Sequence, residues 1–298
     1  MHLELSFELV SDHICLCGEG PLWDAQNKQF YWIDIVSGQI NCLSDDKRLK
    51  HVETGQKIGT IGLTESGAII AALKDGIYKV DSANAELVKL LDPEADKPDN
   101  RFNDGKCDPA GRFWVGSMSD IGVAGQGSLY TLEQDGVISK KLDGLSISNG
   151  LAWDLGRKKF YHIDTPTRQI VSYNYCNGTG GISNGKPVVS IPETEGTPDG
   201  MTVDEEGMLW IAHWNGARVS RWNPDTGSKL QEIFLPVSKV TSCTFGGDNL
   251  DDLYVTTAKV GLGEKELDEQ PLAGATFVFR QVGVRGAANT LIKDRNIL

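Results

Sequence analysis

A six-residue frame recurs six times along this chain of 298 residues, and each copy leads through a turn into a run with strand-like alternation. One copy, DGMTVD, ends at Asp204 and is followed by GMLWIAHW. Three others read EGPLWD, NDGKCD and NGLAWD, and two degenerate copies read TIGLTE and TSCTFG. The first residues of the six copies, spaced by 41, 43, 46, 50 and 42 residues, are Glu19, Thr60, Asn103, Asn149, Asp199 and Thr241. Such a spacing is typical of one β-propeller blade per copy.

The segments around each frame read as further strands. Alternating polar and apolar residues, rich in β-branched and aromatic types, are joined by turns of Asp, Asn, Gly and Lys. The sequence therefore predicts an all-β fold, a six-bladed β-propeller in a single domain over residues 1–298. Because open sheet edges invite aggregation, we expect the segment LELSFELV (3–10) to add an outer strand to the blade that contains GATFVFR (274–280).

The frame residues carry a chemical prediction. In a propeller the first strand of each blade lines the central channel, so equivalent positions form a ring. Glu19 and Asp199 would contribute carboxylates to it, and Asn103 and Asn149 amides, an arrangement that a cation stabilises. Oxygen donors suit Ca²⁺, Mg²⁺ or Mn²⁺, and zinc also accepts carboxylates. A single Asn-Gly or Asp-Gly pair is an ordinary turn signal, but four polar copies in register favour a metal site in the channel.

Charge and composition exclude several classes of function. The formal net charge is −12, with no basic stripe, which argues against nucleic acid as a partner. The first residues lack the features of a signal peptide, and no run of 18 apolar residues could span a membrane. The six cysteines are scattered without a C-x-x-C pair, as expected for buried free thiols in a reduced compartment. We therefore expect a cytoplasmic protein.

Two local patterns are read as structural. The segment GISNG (181–185) matches G-x-S-x-G, but its glycine-rich surroundings with no following helix predict a turn and not a nucleophile elbow. His162 and His213 occupy second-strand positions and are predicted to be packed strand residues, although His213 could approach the channel.

Longer motifs give a family resemblance. GEGPLWD, RFNDGKCDPAGRFWVGSM, SNGLAWD, PDGMTVDEEGMLW and TSCTFGG resemble the regucalcin / senescence-marker / gluconolactonase family, from about residue 15 to about residue 286. The resemblance implies a six-bladed propeller that binds one divalent cation, with Ca²⁺ or Zn²⁺ ahead of Mn²⁺ or Mg²⁺, and that hydrolyses aldonolactones. Glu19, Asn149 and Asp199 resemble the metal ligands of the family, and Asp199 also matches its catalytic base. Arg101 and Asn103 resemble the groups that hold the sugar lactone.

The expected function is divalent-metal-dependent hydrolysis of aldonolactones to aldonic acids, by a monomer or weak homo-oligomer. A non-catalytic, calcium-binding regulatory propeller is the alternative, but calcium storage alone needs no substrate arginine such as Arg101. Asp104 is expected to be a turn residue or a support for the ligands and not itself a ligand. One departure concerns the loop after Met118, where vertebrate members have two adjacent acidic residues and this chain has Asp120 followed by Ile121. The pocket is therefore expected to admit different or larger lactones.

Overall fold

The protein is described by a computed structural model that covers residues 6–81 and 85–294, and in this part of the chain 24 strands form six four-stranded antiparallel sheets. Strand β1 spans Phe7–Leu9. Blade I comprises β2 (Gly18–Asp24), β3 (Gln29–Asp34), β4 (Gln39–Leu43) and β5 (Leu49–Glu53). Blade II comprises β6 (Ile58–Leu63), β7 (Ile69–Leu73), β8 (Gly76–Asp81) and β9 (Glu86–Leu91). Blade III comprises β10 (Asn100–Cys107), β11 (Phe113–Ser119), β12 (Gly127–Leu132) and β13 (Ile138–Leu145).

The second half of the chain repeats the same order. Blade IV comprises β14 (Ser148–Asp154), β15 (Lys159–Asp164), β16 (Gln169–Cys176) and β17 (Gly181–Ser190). Blade V comprises β18 (Thr197–Val203), β19 (Leu209–Trp214), β20 (Arg218–Asn223) and β21 (Ser228–Phe234). Blade VI comprises β22 (Val240–Gly246), β23 (Asp252–Thr257) and β24 (Phe277–Phe279), with the short helix α1 (Glu264–Glu269) between its last two strands.

The first strands of the blades form a closed ring. Strand β2 contacts β6, and the contacts continue through β10, β14, β18 and β22 back to β2. These strands carry the predicted frames and are almost entirely buried, since each faces the channel on one edge and neighbouring blades on its faces. The predicted six-bladed propeller is therefore confirmed, with the blades arranged around the axis in chain order.

The N-terminal strand completes the last blade, as predicted. Strand β1 pairs antiparallel with β24, with Phe7 opposite Phe279 and Leu9 opposite Phe277. The ring of Phe7 lies edge-on to that of Phe277, with centroids 5.1 Å apart. Residues 3–5 of the predicted segment lie outside the described residues. The N-terminal segment therefore supplies the outermost strand of blade VI, and the two ends of the propeller share one sheet.

The aspartate at the end of the frame has a structural role. Asp204 accepts hydrogen bonds from the indole of Trp210 (2.9 Å) and the main-chain N–H of Met208 (2.9 Å). Asp108 likewise accepts hydrogen bonds from the indole of Trp114 (3.0 Å) and the main-chain N–H of Arg112 (2.9 Å). The repeated carboxylate thus ties the turn after the first strand to the buried tryptophan of the second. The last residue of the frame therefore stabilises the blade, whereas the first residue faces the channel.

Two sequence predictions need correction. The GISNG segment is not a turn but the first half of β17, where the sheet register shifts and Asn184 adopts a left-handed conformation (φ 55°). A β-bulge accommodates such a residue within a sheet. All six cysteines are free, but only four are buried: Cys42 is half-buried and Cys176 is exposed. In the described ranges, no helix has the length and apolar character needed to cross a bilayer.

The two histidines singled out from the sequence are packed strand residues, as predicted. His162 lies 2.9 Å from the Ser148 hydroxyl, and His213 contacts the Ser220 hydroxyl and the Glu195 carbonyl. Burial lowers the pKa of His162 to about 3 and that of His213 to about 4, so both rings are neutral near pH 7. Neither is placed to act as a base in the channel.

Candidate functional site

All six frame residues lie on the first strands of their blades, are at most 8% exposed, and sit at irregularities of the sheet. The register shifts fall between Glu19 and Leu22, Ile58 and Thr60, Phe102 and Gly105, Asn149 and Leu151, Pro198 and Met201, and Val240 and Ser242. β-Bulges re-aim side chains and are frequent beside functional sites. The spacing of the repeat predicted the ring but not its bulges.

The glycine after the polar frame residue was the available signal for these bulges. Gly150 has a φ of 36°, and a Cβ there would lie 2.8 Å from the Asp199 carbonyl oxygen. A Cβ on Gly200 would lie 2.0 Å from the Ser242 hydroxyl. Glycine adopts such a backbone conformation at little cost, and only glycine permits so close an approach.

Glu19 and Asp199 form the electrostatic centre of the ring. Burial raises the pKa of Glu19 well above its ordinary value, and the neighbouring Asp199 and Asp104 carboxylates raise it further. Burial and Asp104 likewise raise the pKa of Asp199, against the opposing effect of Arg101. The main-chain N–H of Gly20 donates to Glu19 at 2.6 Å. Buried carboxylates that raise each other's pKa become favourable as anions when a cation lies between them.

Asn149 is oriented by hydrogen bonds on both sides of its amide. Its Nδ2 donates to the Thr165 hydroxyl (2.9 Å), and its Oδ1 accepts from Asn103 Nδ2 (3.0 Å). An amide oxygen has two lone pairs, so one remains for a further ligand. Asn103 is fixed by a second bond, from its Nδ2 to the Ser148 carbonyl (2.9 Å).

These donors fit a hard divalent cation. The three predicted ligands, Glu19, Asn149 and Asp199, supply only oxygen atoms, the set that calcium, magnesium and manganese prefer. Within residues 6–81 and 85–294, no group of three or more His, Cys, Asp or Glu side chains is arranged to hold a metal ion. A cation bound between Glu19 and Asp199 would therefore take its third protein ligand from the Asn149 amide.

Arg101 lies beside this centre and is held by neighbours on two sides. Its Nη1 donates to Asn103 Oδ1 (2.8 Å), and its Nε lies 3.4 Å from Asp120 Oδ1. Asp120 also pairs with Lys57 (2.6 Å) and Lys74 (3.3 Å). The Asp120 carboxylate is therefore engaged by three cations and positions Arg101. Among the described residues no partner contacts Nη2 of Arg101, which leaves that nitrogen to bind a ligand.

Asp104 and Lys106 lie on the other side of the ring. Asp104 accepts the main-chain N–H of Gly105 (2.7 Å), and Lys106 donates to the Met201 carbonyl (2.8 Å). Both line a cavity of about 630 Å³ at the end of the channel where the inner strands end. The C-terminal segment lies across this end, with Asn289 donating to the Trp23 carbonyl (3.1 Å). The negative charge of Asp104 raises the pKa of both Glu19 and Asp199.

The two threonines of the ring connect blades. The Thr60 hydroxyl donates to the Gly105 carbonyl of blade III (2.9 Å), and the Thr241 hydroxyl donates to the Gly18 carbonyl of blade I (2.6 Å). Both side chains are buried and their donors are used. The two degenerate frame positions therefore connect neighbouring blades.

The fold and the channel define a class of six-bladed β-propeller with buried carboxylates and amides and a half-buried arginine around its axis. Comparison with known proteins narrows this class to one family. The family described as SMP-30/Gluconolactonase/LRE-like region matches residues 17–259, and the chain belongs to it.

Individual relatives agree with this assignment. YvrE of Bacillus subtilis, named as a candidate sugar lactone lactonase, is 40% identical over 270 residues, which cover 90% of this chain and 92% of YvrE. Regucalcin of Homo sapiens is 38% identical over 291 residues, covering 95% and 97% of the two chains. The solved structure of regucalcin from Agrobacterium tumefaciens, described as a calcium-binding protein, has a TM-score of 0.91 at 25% identity and covers 96% and 97%.

Proposed function

We propose that this protein is a divalent-metal-dependent lactonase that hydrolyses aldonolactones to aldonic acids. The observation that carries the proposal is the contact of Arg101 with Asn103, which in turn contacts Asn149 beside the buried carboxylates of Glu19 and Asp199. A cation site and a group able to bind a sugar oxygen thus share one channel. The naming of YvrE for sugar lactones supports the same reaction.

Glu19, Asn149 and Asp199 would hold the cation. When bound, a divalent cation can polarise a carbonyl group and lower the pKa of water. The fixed orientation of the Asn149 amide, with Thr165 on one side and Asn103 on the other, prepares its oxygen for this role. Preorganised ligands lose little conformational entropy on binding, which favours a well-defined site.

The side chains of the channel account for the remaining steps. Water attacks the lactone carbonyl carbon, and Asp199 accepts the proton that this water loses. The free Nη2 of Arg101 donates to the oxyanion that develops on the carbonyl oxygen. The ring C–O bond then breaks and its oxygen takes up the proton, which opens the lactone to a hydroxy acid. Burial and the Asp104 carboxylate raise the pKa of Asp199 in the cation-free protein, and a bound cation would favour its ionised form, the form that accepts a proton.

The alternative is a non-catalytic calcium-binding propeller, which the regucalcin relatives bring into consideration. Binding of calcium alone would use the two carboxylates and the amide. It gives no reason for a half-buried arginine, Arg101, to be held beside them by Asp120 and Asn103. The arginine is the observation that favours the enzyme.

A pH-indicator hydrolysis assay tests the proposal. EDTA-stripped protein is refilled with Ca²⁺, Mn²⁺, Mg²⁺ or Zn²⁺ and offered D-glucono-, L-arabinono-, L-galactono- and D-xylonolactones. We expect at least one pairing to give turnover that EDTA abolishes. Cation binding without turnover on any lactone would instead support the non-catalytic propeller.

A further inference from the structure

Lys106, on the inner strand β10 of blade III, crosses the channel. Its Nζ donates to the carbonyl of Met201, which lies on β18 of blade V, at 2.8 Å. In the ring of inner strands β14 stands between these two, since β10 contacts β14 and β14 contacts β18. A side chain that reaches from blade III to blade V past blade IV must extend through the enclosed space. The ammonium group of Lys106 therefore lies inside the channel.

This ammonium group is close to the ring of frame residues, on the side where the inner strands end. Met201 follows Asp199 by two residues on β18, and two residues span at most about 7 Å. Asp104, which directly follows the frame residue Asn103, lines the same cavity of about 630 Å³ as Lys106. Asp104 and Lys106 are therefore charged groups next to the cation site, although neither is one of its three predicted ligands.

Three buried carboxylates of this region make no ion pair. Glu19, Asp104 and Asp199 are 5%, 7% and 8% exposed. In the part of the chain that the structure describes, no Lys, Arg or His nitrogen lies within 4.0 Å of any of the three. The Lys106 ammonium group has no carboxylate within this distance either. Buried charges are costly unless opposite charges compensate them, so the carboxylates of the channel are left for a bound cation.

Charges elsewhere in the protein are paired directly. The buried carboxylate of Asp204 pairs with Arg221 at 2.7 Å. Arg101, on the other side of the ring from Lys106, faces Asp120 at 3.4 Å. Charges that are paired in this way cancel each other and do not require a cation.

The unpaired charges around the ring match the charge of one divalent cation. In their ionised forms Glu19, Asp104 and Asp199 contribute three negative charges. Lys106 contributes one positive charge, which leaves two negative charges in excess. One divalent ion cancels this excess, whereas a trivalent ion would leave a buried positive charge.

We infer that Asp104 and Lys106 set the charge of the cation site and thereby its preference for a divalent ion, without binding the ion themselves. The inference rests on the cation site of the proposed function but not on the reaction. The electrostatic free energy of an ion in the site is proportional to the charge of the ion. Removal of one fixed charge therefore changes the affinity for a trivalent ion more than the affinity for a divalent ion.

Competition between Tb³⁺ and Ca²⁺ tests the inference. The two ions have similar radii and take the same oxygen ligands, but Tb³⁺ carries one more charge. Binding of Tb³⁺ to stripped protein is followed by its luminescence, and the affinity for Ca²⁺ by displacement of Tb³⁺. Both ions compete with the same protons for the carboxylates, so the ratio of the two affinities isolates the effect of charge.

The two residues should change this ratio in opposite directions. At an effective dielectric constant of about 20 and a separation of about 6–12 Å, one unit charge changes the ratio by roughly 10- to 100-fold. We expect Lys106→Met to shift the ratio toward Tb³⁺ by this factor and Asp104→Asn to shift it toward Ca²⁺. The double variant, in which the two changes of charge cancel, should return close to the wild-type ratio.

Two further variants separate charge from shape. Lys106→Arg keeps the positive charge and should keep the wild-type ratio. Lys265→Met, at an exposed lysine of α1, removes a positive charge far from the channel and should leave the ratio unchanged. A ratio that is unchanged in both Lys106→Met and Asp104→Asn, or that shifts in Lys106→Arg as much as in Lys106→Met, would overturn the inference.

The same measurements distinguish this inference from the proposed function. If the wild-type protein binds neither ion, the cation site is wrong and the inference falls with it. If it binds both ions but the ratio does not respond to Asp104 and Lys106, only the inference is wrong. If the ratio shifts as expected in a protein that hydrolyses no lactone, the reaction is wrong and the inference stands.

Discussion

Asp199 combines the two roles expected of the site, since its charge acts on Glu19 and the charge of Arg101 acts on it. An Asp199→Asn variant keeps the shape of the side chain but loses the base and one negative ligand. General-base assistance is worth roughly 10²- to 10⁴-fold in rate, so we expect kcat to fall by at least this amount. Turnover and bound metal are measured on the same sample, with Asp135→Asn in an exposed turn as control. Near wild-type turnover in a variant that retains its metal would exclude Asp199 as the base.

Arg101 should affect the substrate and not the cation. Its Nη1 is directed to Asn103 and its Nε to Asp120, which leaves Nη2 for the lactone. We expect Arg101→Ala to lower kcat/KM by roughly 10²- to 10³-fold, the effect of losing a donor to the developing oxyanion. The dissociation constant of the cation, measured by calorimetry, should not change. Arg285→Ala, at an exposed arginine, is the control, and parallel loss of cation affinity would argue against a role confined to substrate.

At the scale of residues, the repeat predicted which side chains line the channel, because equivalent positions in equivalent blades must meet at the axis. It could not predict the partners of Arg101, since Lys57, Lys74 and Asp120 come from segments without a shared motif.

At the scale of elements, side chains of the inner strands join one blade to the next. The Thr60 hydroxyl donates a hydrogen bond to the main chain of blade III, and the Asn103 amide donates one to the main chain of blade IV. The Thr241 hydroxyl donates one to the main chain of blade I. The Thr165 hydroxyl reaches from blade IV to the Pro198 carbonyl of blade V (2.9 Å). Each bond satisfies a polar group on the inner strands and fixes the spacing of the ring.

Thr241→Val tests this role, since valine has a similar shape but no hydroxyl donor. Loss of the bond to the Gly18 carbonyl should lower the free energy of unfolding by about 1–3 kcal/mol, because a buried acceptor loses its partner. Urea denaturation gives this quantity, and the exposed Thr194→Val should shift it by less than about 0.5 kcal/mol. An unchanged free energy of unfolding for Thr241→Val would mean that the bond does not hold blades VI and I together.

The elements also show where sequence patterns mislead. Blade order and the closing strand β1 were predicted correctly because alternation and repeat spacing depend on local periodicity. GISNG was assigned to a turn on composition, yet it pairs with β16 through a bulge at Asn184. Whether a glycine-rich segment turns or bulges depends on its partner strand, which composition does not reveal.

At the scale of the whole molecule, the site contributes a pH-dependent stability. Without a cation, the folded-state pKa values of Glu19 and Asp199 lie above the value of about 4 for an unfolded carboxyl group. The folded state therefore binds more protons than the unfolded state between these values, and stability falls as pH rises through the folded-state pKa values. A cation reverses the effect because it favours the ionised forms.

Calorimetric scans of stripped and cation-loaded protein measure this difference. We expect the increase in Tm caused by the cation to grow as pH rises from about 4 toward neutrality, where the carboxyl groups ionise. In Asp199→Asn, with one carboxyl fewer, the stripped protein should depend less on pH. A Tm increase that is the same at acid and neutral pH would show that these carboxyl groups do not hold the cation.

We propose that residues 1–298 form a single domain, since β1 pairs with β24 and the two ends of the described chain share one blade.

If the protein is a metal-dependent lactonase, one cation in this channel is required for activity, and a titration measures this requirement. Stripped protein is titrated with the best cation of the hydrolysis assay, and bound metal and initial rate are measured in the same samples. We expect activity to rise in proportion to bound cation and to reach its plateau at one ion per chain. Full activity in the stripped protein, or a plateau in bound cation with no gain in rate, would contradict it.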